Sequence, residues 1–312
     1  MRQFVIRYLC VSFLAMFVAA TASAQKPRLT FTPSDDQVVI NVDDQTIASY
    51  VYHDKLINRP YFAHIKSPDG IQVTRNHPPQ KGDRDDHATM HPGIWLAFGD
   101  LGGADFWRNK AQIKHVKFIQ PPSSERNMGS FIQLKRYLRP DNSVVCDEEF
   151  RFAIRADENA YLFILESIFS SENEFYFGDQ EEMGLGIRVA TSISEIGGGQ
   201  LIDSAGRKGA KMIWSNSADW CDYSGEVDGK KAGMTIMCHP TNFRESWFHS
   251  RNYGLAAANA FGRAAMKKGE ASKVIVKPGE TLRLRYAVWV HSDVNVESIK
   301  SAYKRFANLR GK

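Results

Sequence analysis

The chain has 312 residues, with 40 Lys and Arg against 35 Asp and Glu and a net charge of +5. At 43% hydrophobic and 24% charged residues, it is not collagen-like, coiled-coil or wholly disordered. Four cysteines are too few for a disulfide-dense scaffold.

Arg2 and Arg7 precede an apolar run, Leu9–Ala20, which is followed by Ala22 and Ala24 at the −3 and −1 positions of a cleavage site. This layout predicts a secretory signal peptide over residues 1–24 and a mature protein that is exported, periplasmic or secreted, from Gln25. The run falls short of the roughly 20 residues a spanning helix needs, and no later segment approaches a membrane span. Cleavage takes Arg2, Arg7 and no acid, so +5 becomes +3, and it leaves Cys146, Cys221 and Cys238. Pairing of Cys221 with Cys238 stays open, and core thiols are the simpler reading.

The rest, residues 25–312, reads as one β-sandwich domain. Short apolar or alternating runs predict strands at Val38–Val42, Ile47–Tyr52 and from about Ile94. In Phe150–Arg155 the residues Phe150, Phe152 and Ile154 share a face. Further strands are expected at Ala160–Ser170, Gly184–Val189 and Ala232–Met237, the last entered through a turn at Val227–Lys230. Lys273–Lys277 and Thr281–Val290 read as the arms of a hairpin about Pro278-Gly279. Val296, Ile299, Ala302, Tyr303 and Phe306 recur at helical spacing and predict an amphipathic helix over Val294–Leu309. There is no βαβ alternation and no internal repeat. The fold class is therefore all-β, a large two-sheet β-sandwich with a C-terminal α-helix, and a division near Pro121-Pro122 is the alternative. Residues 263–312 hold twelve basic and four acidic residues, but these alternate with apolar ones as solvated faces do, so no nucleic-acid partner is expected.

Three stretches carry more polar and aromatic groups than connections need. In Arg75–Trp107, Asp86-His87 and His91 lie in a long loop with Trp95 and Trp107 beyond it. A carboxylate beside a histidine fixes its tautomer and suits acid–base work. A helical zinc site from His87 and His91 is disfavoured because Pro92-Gly93 follow at once. In the second stretch, Asp222-Tyr223 open a hairpin that ends at His239, and Trp247, His249 and Arg251 then alternate on one face of an extended segment. An aromatic ring, an imidazole and a guanidinium there suit a ligand rich in oxygen. The third stretch is Glu181-Glu182 before Gly184-Leu185-Gly186, where one carboxyl could enter a cleft. No P-loop, dinucleotide fingerprint or nucleophile elbow is present.

Several of these pieces together resemble a family of exported bacterial proteins known as a domain of unknown function or by the label "PmoA family protein". They are Arg59-Pro60-Tyr61-Phe62, Asp86-His87 through His91 and Gly93-Ile94-Trp95, and Gly99-Asp100 with Asp105-Phe106-Trp107. Also among them are Glu182–Gly186, Asp222–Gly225, His239-Pro240, His249–Leu255 and Asn259 with Phe261-Gly262. The histidine cluster of that family is tighter, whereas Ala88-Thr89-Met90 intervene here, which weakens a three-histidine metal site. Its Asn-Pro-Phe-Gly is Asn259-Ala260-Phe261-Gly262 in this chain. The methane-oxygenase label is rejected because that subunit is a membrane protein of many helices, and strand periodicity runs throughout this chain. The resemblance implies a sandwich similar to the galactose-mutarotase type or a jelly roll.

The expected function is a carbohydrate-active enzyme, a glycoside hydrolase, lyase or epimerase. His87, His249, Glu182 and Asp222 would be catalytic. Arg251, Asn259, His91, His239, Trp95, Trp107, Trp247 and Tyr223 would hold the sugar. No cofactor or metal is expected, and the oligomeric state is not read. The alternatives are a non-catalytic carbohydrate-binding protein and a metal-dependent oxidoreductase built on His87, His91 and His239.

Overall fold

The computed structural model describes residues 26–309, so the expected signal peptide lies outside the described residues. The first sheet runs β1 (Leu29–Pro33), β2 (Gln37–Val42), β3 (Gln45–Val51), β4 (Tyr61–Ala63), β5 (Ile94–Phe98), β11 (Met183–Arg188), β16 (Leu255–Asn259) and β15 (Trp247–Arg251). The second runs β12 (Gln200–Asp203), β13 (Trp220–Val227), β14 (Lys230–Cys238), β18 (Leu282–Ser292), β9 (Ala160–Ser170), β8 (Val144–Asp157), β7 (Met128–Leu138) and β6 (Gln112–Glu125). A ribbon of β10 (Phe175–Phe177) and β17 (Val274–Val276) stands beside them.

Alternation builds the core between the sheets, because successive residues of a strand face opposite sides. Phe150, Phe152 and Ile154 of β8 and Leu282, Leu284, Tyr286, Val288 and Val290 of β18 point inward, as their period predicts. They meet Phe62, Ile94, Leu96, Phe98, Leu185 and Ile187 of the first sheet. After a single-turn helix, α1 (Ala210–Ile213), a second helix, α2 (Val296–Ala307), covers the outer face of the second sheet with Ile299, Ala302 and Phe306, packed on Trp220, Met237 and Trp289. Its first turn is capped by Asn295, whose Oδ1 accepts from the Ser298 amide at 2.9 Å.

One local expectation is corrected. The turn at Pro278-Gly279 exists, with the Glu280 amide donating to the Lys277 carbonyl, but its arms do not pair. Both edges of β18 are occupied by β9 and β14, so β17 pairs with β10 instead. Pro121-Pro122 lies within β6, an edge strand whose register shifts between Gln120 and Ser123. A residue without an N–H is tolerated at an edge and not inside a sheet. Cys146, Cys221 and Cys238 are free and buried, and Cys221 faces Ile236 across the ladder rather than Cys238.

Candidate functional site

The outer face of the first sheet carries the polar and aromatic groups. Trp95, Gly186, Ala257 and His249 form one row across β5, β11, β16 and β15. Ala97, Gly184, Asn259 and Trp247 form the next, and Arg188, Leu255 and Arg251 lie on the other side. Small residues in the middle leave room for two indoles. A side chain at Gly186 would come within 2.6 Å of the Trp95 ring and 3.1 Å of Trp107. The two indoles pack edge to face with centroids 5.2 Å apart, and His91 stacks on Trp95 at 5.0 Å. His91 is fully buried with no partner on either ring nitrogen, and burial pushes its pKa well down, so it is neutral.

The loop holding His87 and His91 is fastened by two buried arginines. Arg75 donates to the carbonyls of Arg84, Asp86 and His91, and Arg59 to those of Met90 and Trp107. Arg188 grips the Asp86 carboxylate with two bonds, at 3.1 and 2.9 Å, and stacks on the Tyr253 ring at 4.4 Å. Burial acts to raise the Asp86 pKa, but Arg188 and Arg84 hold it at about 2. His87, at the mouth, lies 4.9 Å from His91 and 6.2 Å from Tyr253, ring to ring. Burial lowers its pKa, opposed by Asp86 and by Glu182 from the neighbouring strand end.

At the other end of the row stands a carboxylate–imidazole pair. Glu181 Oε1 lies 2.8 Å from His249 Nδ1, off the axis of the ring N–H, and 2.9 Å from Arg251 Nη2. It also accepts from the Trp214 indole at 2.5 Å. Burial favours a raised Glu181 pKa, yet His249, Arg251 and Trp214 bring it to about 2. A negative oxygen beside Nδ1 favours the proton there, which leaves Nε2 as the lone-pair nitrogen. Among the described residues nothing bonds His249 Nε2.

Several expected site residues take other positions. The carboxylate next to His249 belongs to Glu181, while Glu182 contacts Arg108. Adjacent residues at a strand entrance point apart, so the dipeptide did not say which one turned toward β15. Asn259 donates to the carbonyls of Gln180 and Glu181 at 2.8 and 3.0 Å and accepts from the amides of Phe261 and Gly262. Its amide is used up in holding the segment that presents Glu181. Trp247 is buried beneath Arg244, and Tyr223 reaches out of the core to donate to the Arg251 carbonyl at 2.6 Å.

Asp222 and His239 do not join His87 and His249. Asp222 lies in β13 and His239 just past the end of β14, and both face outward under α2. Asp222 is bound to His291 Nε2 at 2.9 Å and to Thr235 at 2.7 Å, and His239 to Arg285 and Thr241. The reason is parity, since Tyr223 and Cys238 take the inward positions and their neighbours must face out. The three histidines of the oxidoreductase reading are therefore not assembled. Among the described residues no three His, Cys, Asp or Glu are grouped to hold a metal.

Sequence reasoning gave no site role to Arg59, Arg75, Arg188 and Trp214. The buried arginines sit in strands and loops whose local pattern reads as solvated, and only their distant carbonyl and carboxylate partners explain them.

These features define an all-β protein of two large antiparallel sheets with a cluster of histidines, carboxylates, arginines and buried tryptophans on the outer face of one. The chain belongs to a family of unknown function, DUF6807, which matches residues 37–304. Its description names no activity, and the methane-oxygenase label is no part of it. No curated protein matches the sequence. Among solved structures the chain is similar to a GH36 α-galactosidase of Geobacillus stearothermophilus, at 12% identity and a TM-score of 0.48, over 91% of this chain and 44% of that one. A galactose mutarotase-like protein of Clostridium acetobutylicum matches at 7% identity and 0.43, over 86% and 99%. The galactose 1-epimerase of Lactobacillus acidophilus matches at 8% and 0.39, over 86% and 99%. The chain thus spans less than half the length of the α-galactosidase.

Proposed function

We propose that this face of the first sheet binds a carbohydrate and moves a proton on it, with His249 as the acid–base group and Glu181 as the residue that orients it, in an exported protein. The observation that carries this reading is the Glu181–His249 pair, 2.8 Å apart, whose Nε2 has no partner among the described residues. Tyr253, partly exposed beside His87, is the ring on which a sugar could stack, with the buried Trp95 and Trp107 packed behind the site. Within the carbohydrate-active classes, epimerisation or elimination is favoured over glycoside hydrolysis. Hydrolysis by the usual route needs two carboxyls, one of them protonated near neutral pH. Here Asp86 and Glu181 are held at about 2, and Glu182 is against Arg108. The same pairing favours the second reading, a carbohydrate-binding protein without catalysis.

The test is proton NMR of a sugar and oligosaccharide panel in D2O with purified protein. The expected result is deuterium wash-in at a carbon-bound position, or an unsaturated product, lost in His249→Gln. Saturable binding without exchange would establish the second reading, and neither binding nor exchange would sink both. N-terminal sequencing of the exported protein checks the expected start at Gln25.

A further inference from the structure

The outer face of the second sheet holds a buried acidic group that the proposed site does not use. Asp222 of β13, Thr235 of β14 and His291 of β18 come from three adjacent strands. Thr235 stands directly opposite Asp222, but His291 has to reach across β14 to meet it. Gly233, opposite His291 in the ladder, makes that reach possible, since a side chain there would come within 2.6 Å of the imidazole Cε1. Laid over bare backbone, the ring brings Nε2 to 2.9 Å from Asp222 Oδ1, and Thr235 donates to the same oxygen at 2.7 Å. Asp222 and His291 are both more than nine-tenths buried.

The two residues line a cavity of about 430 Å³ between the sheet and the start of α2, a volume that suits a small ligand. In the neutral imidazole the proton on Nε2 faces Asp222, so Nδ1 carries the lone pair. That nitrogen is buried without a partner, and nothing among the described residues bonds Asp222 Oδ2. The pair thus presents two unused acceptors and no donor. Its negative charge is answered by a hydroxyl and a ring N–H, both uncharged. Lys231, the one Lys or Arg along the described lining, makes no ion pair with Asp222 and stands opposite Glu226 in the ladder. The N-terminus of α2, a partial positive charge, also reaches the rim, but Asn295 caps it and Glu297 sits in its first turn. Ile202, Val294, Val296 and Ile299 supply apolar wall.

We infer that this cavity is a second ligand site, on the second sheet, and that it takes a small primary ammonium ion with an apolar body. An ammonium group has three donors and no acceptor, so it can donate to both Asp222 Oδ2 and His291 Nδ1 while neutralising the buried carboxylate. Its hydrocarbon part then lies on the valines and isoleucines. An alcohol has one donor and leaves the charge unanswered, and an anion is repelled by Asp222. Neither His249 nor Glu181 takes part, so this site stands or falls apart from the carbohydrate reading.

The test is calorimetric titration of the full mature chain with benzylamine and cyclohexylmethylamine, beside their isosteres benzyl alcohol and cyclohexylmethanol. The amines are expected to bind at one site and about tenfold or more tighter than the alcohols, as a charge-assisted contact does. The ring-nitrogen signals of His291 should move in 15N spectra as amine is added. Asp222→Asn is expected to weaken the amines by about tenfold or more and to leave the alcohols within about twofold. If that variant does not fold, Val296→Trp, at an exposed edge of the cavity, is expected to block the amines while Asp222 and His291 stay in place. Amines held no better than alcohols, or held equally by folded Asp222→Asn or Val296→Trp, overturn the inference. So does an absence of saturable amine binding below about 10 mM.

Discussion

Glu181 Oε1 sits within 3 Å of three donors at once: His249 Nδ1 at 2.8 Å, Arg251 Nη2 at 2.9 Å and Trp214 Nε1 at 2.5 Å. The neighbouring Glu182 has none of these partners. Glu181→Gln is therefore expected to lower turnover and alter its pH profile, whereas Glu182→Gln keeps the profile of the wild type. His249→Gln should lower turnover by about 10²- to 10⁴-fold, the usual size of an acid–base contribution. Steady-state rates across pH, with circular dichroism to verify folding, separate the three variants. Equal effects of the two glutamate changes would remove Glu181 from its special place.

Gly186 is where the backbone of β11 passes beneath both indoles. Gly186→Val is expected to destabilise by about 1–3 kcal/mol, because the added carbons meet the buried rings of Trp95 and Trp107 and neither can move away. Denaturant unfolding gives the loss, and the tryptophan fluorescence maximum should shift in the folded variant. A neutral change would mean that the indoles lie elsewhere.

Acid should loosen this face of the molecule. Asp86 and Glu181 have pKa values of about 2 in the folded chain, against roughly 4 in an unfolded one. A carboxylate with a depressed folded value stabilises above the unfolded value, and that contribution disappears as pH falls toward the folded one. Stability is thus expected to decline between about pH 4 and pH 2, less steeply in Glu181→Gln. Both groups are partly exposed, so the effect of each is modest. Urea midpoints at successive pH values measure the slope, and identical slopes would reject the assignment.

Asp222 and His291 are buried to within 2% and pair under α2, on the second sheet rather than beside Glu181 and His249 on the first. His291→Leu leaves an uncompensated buried carboxylate, a loss on the order of 3–5 kcal/mol. Glycan binding by the folded fraction is expected to be unchanged. Binding lost from a folded His291→Leu would place the functional face on the second sheet.

Much of this was legible in the chain itself. The periods of Phe150–Arg155 and Thr281–Val290 assign their inner faces without reference to any partner. The density of His, Asp and Trp in Arg75–Trp107 marks the loop that packs on the outer face of the first sheet. Trp247, His249 and Arg251 do share one face of β15. The hairpin at Pro278-Gly279 was misread because local turn chemistry predicts a reversal, and which strand lies alongside depends on edges taken by β9 and β14.

By itself, then, the sequence determined what depends on near neighbours: the strand periods, the amphipathic helix after Asp293, and the stretches too polar to be mere connections. Only the tertiary structure decided which strands adjoin, and with that which histidine meets which carboxylate. Glu181 and His249 are 68 residues apart, and Asp86 and Arg188 are separated by 102. The same pairing across strands sent Asp222 and His239 to the far face, because a one-residue change of parity in a strand turns a side chain from one side of a sheet to the other.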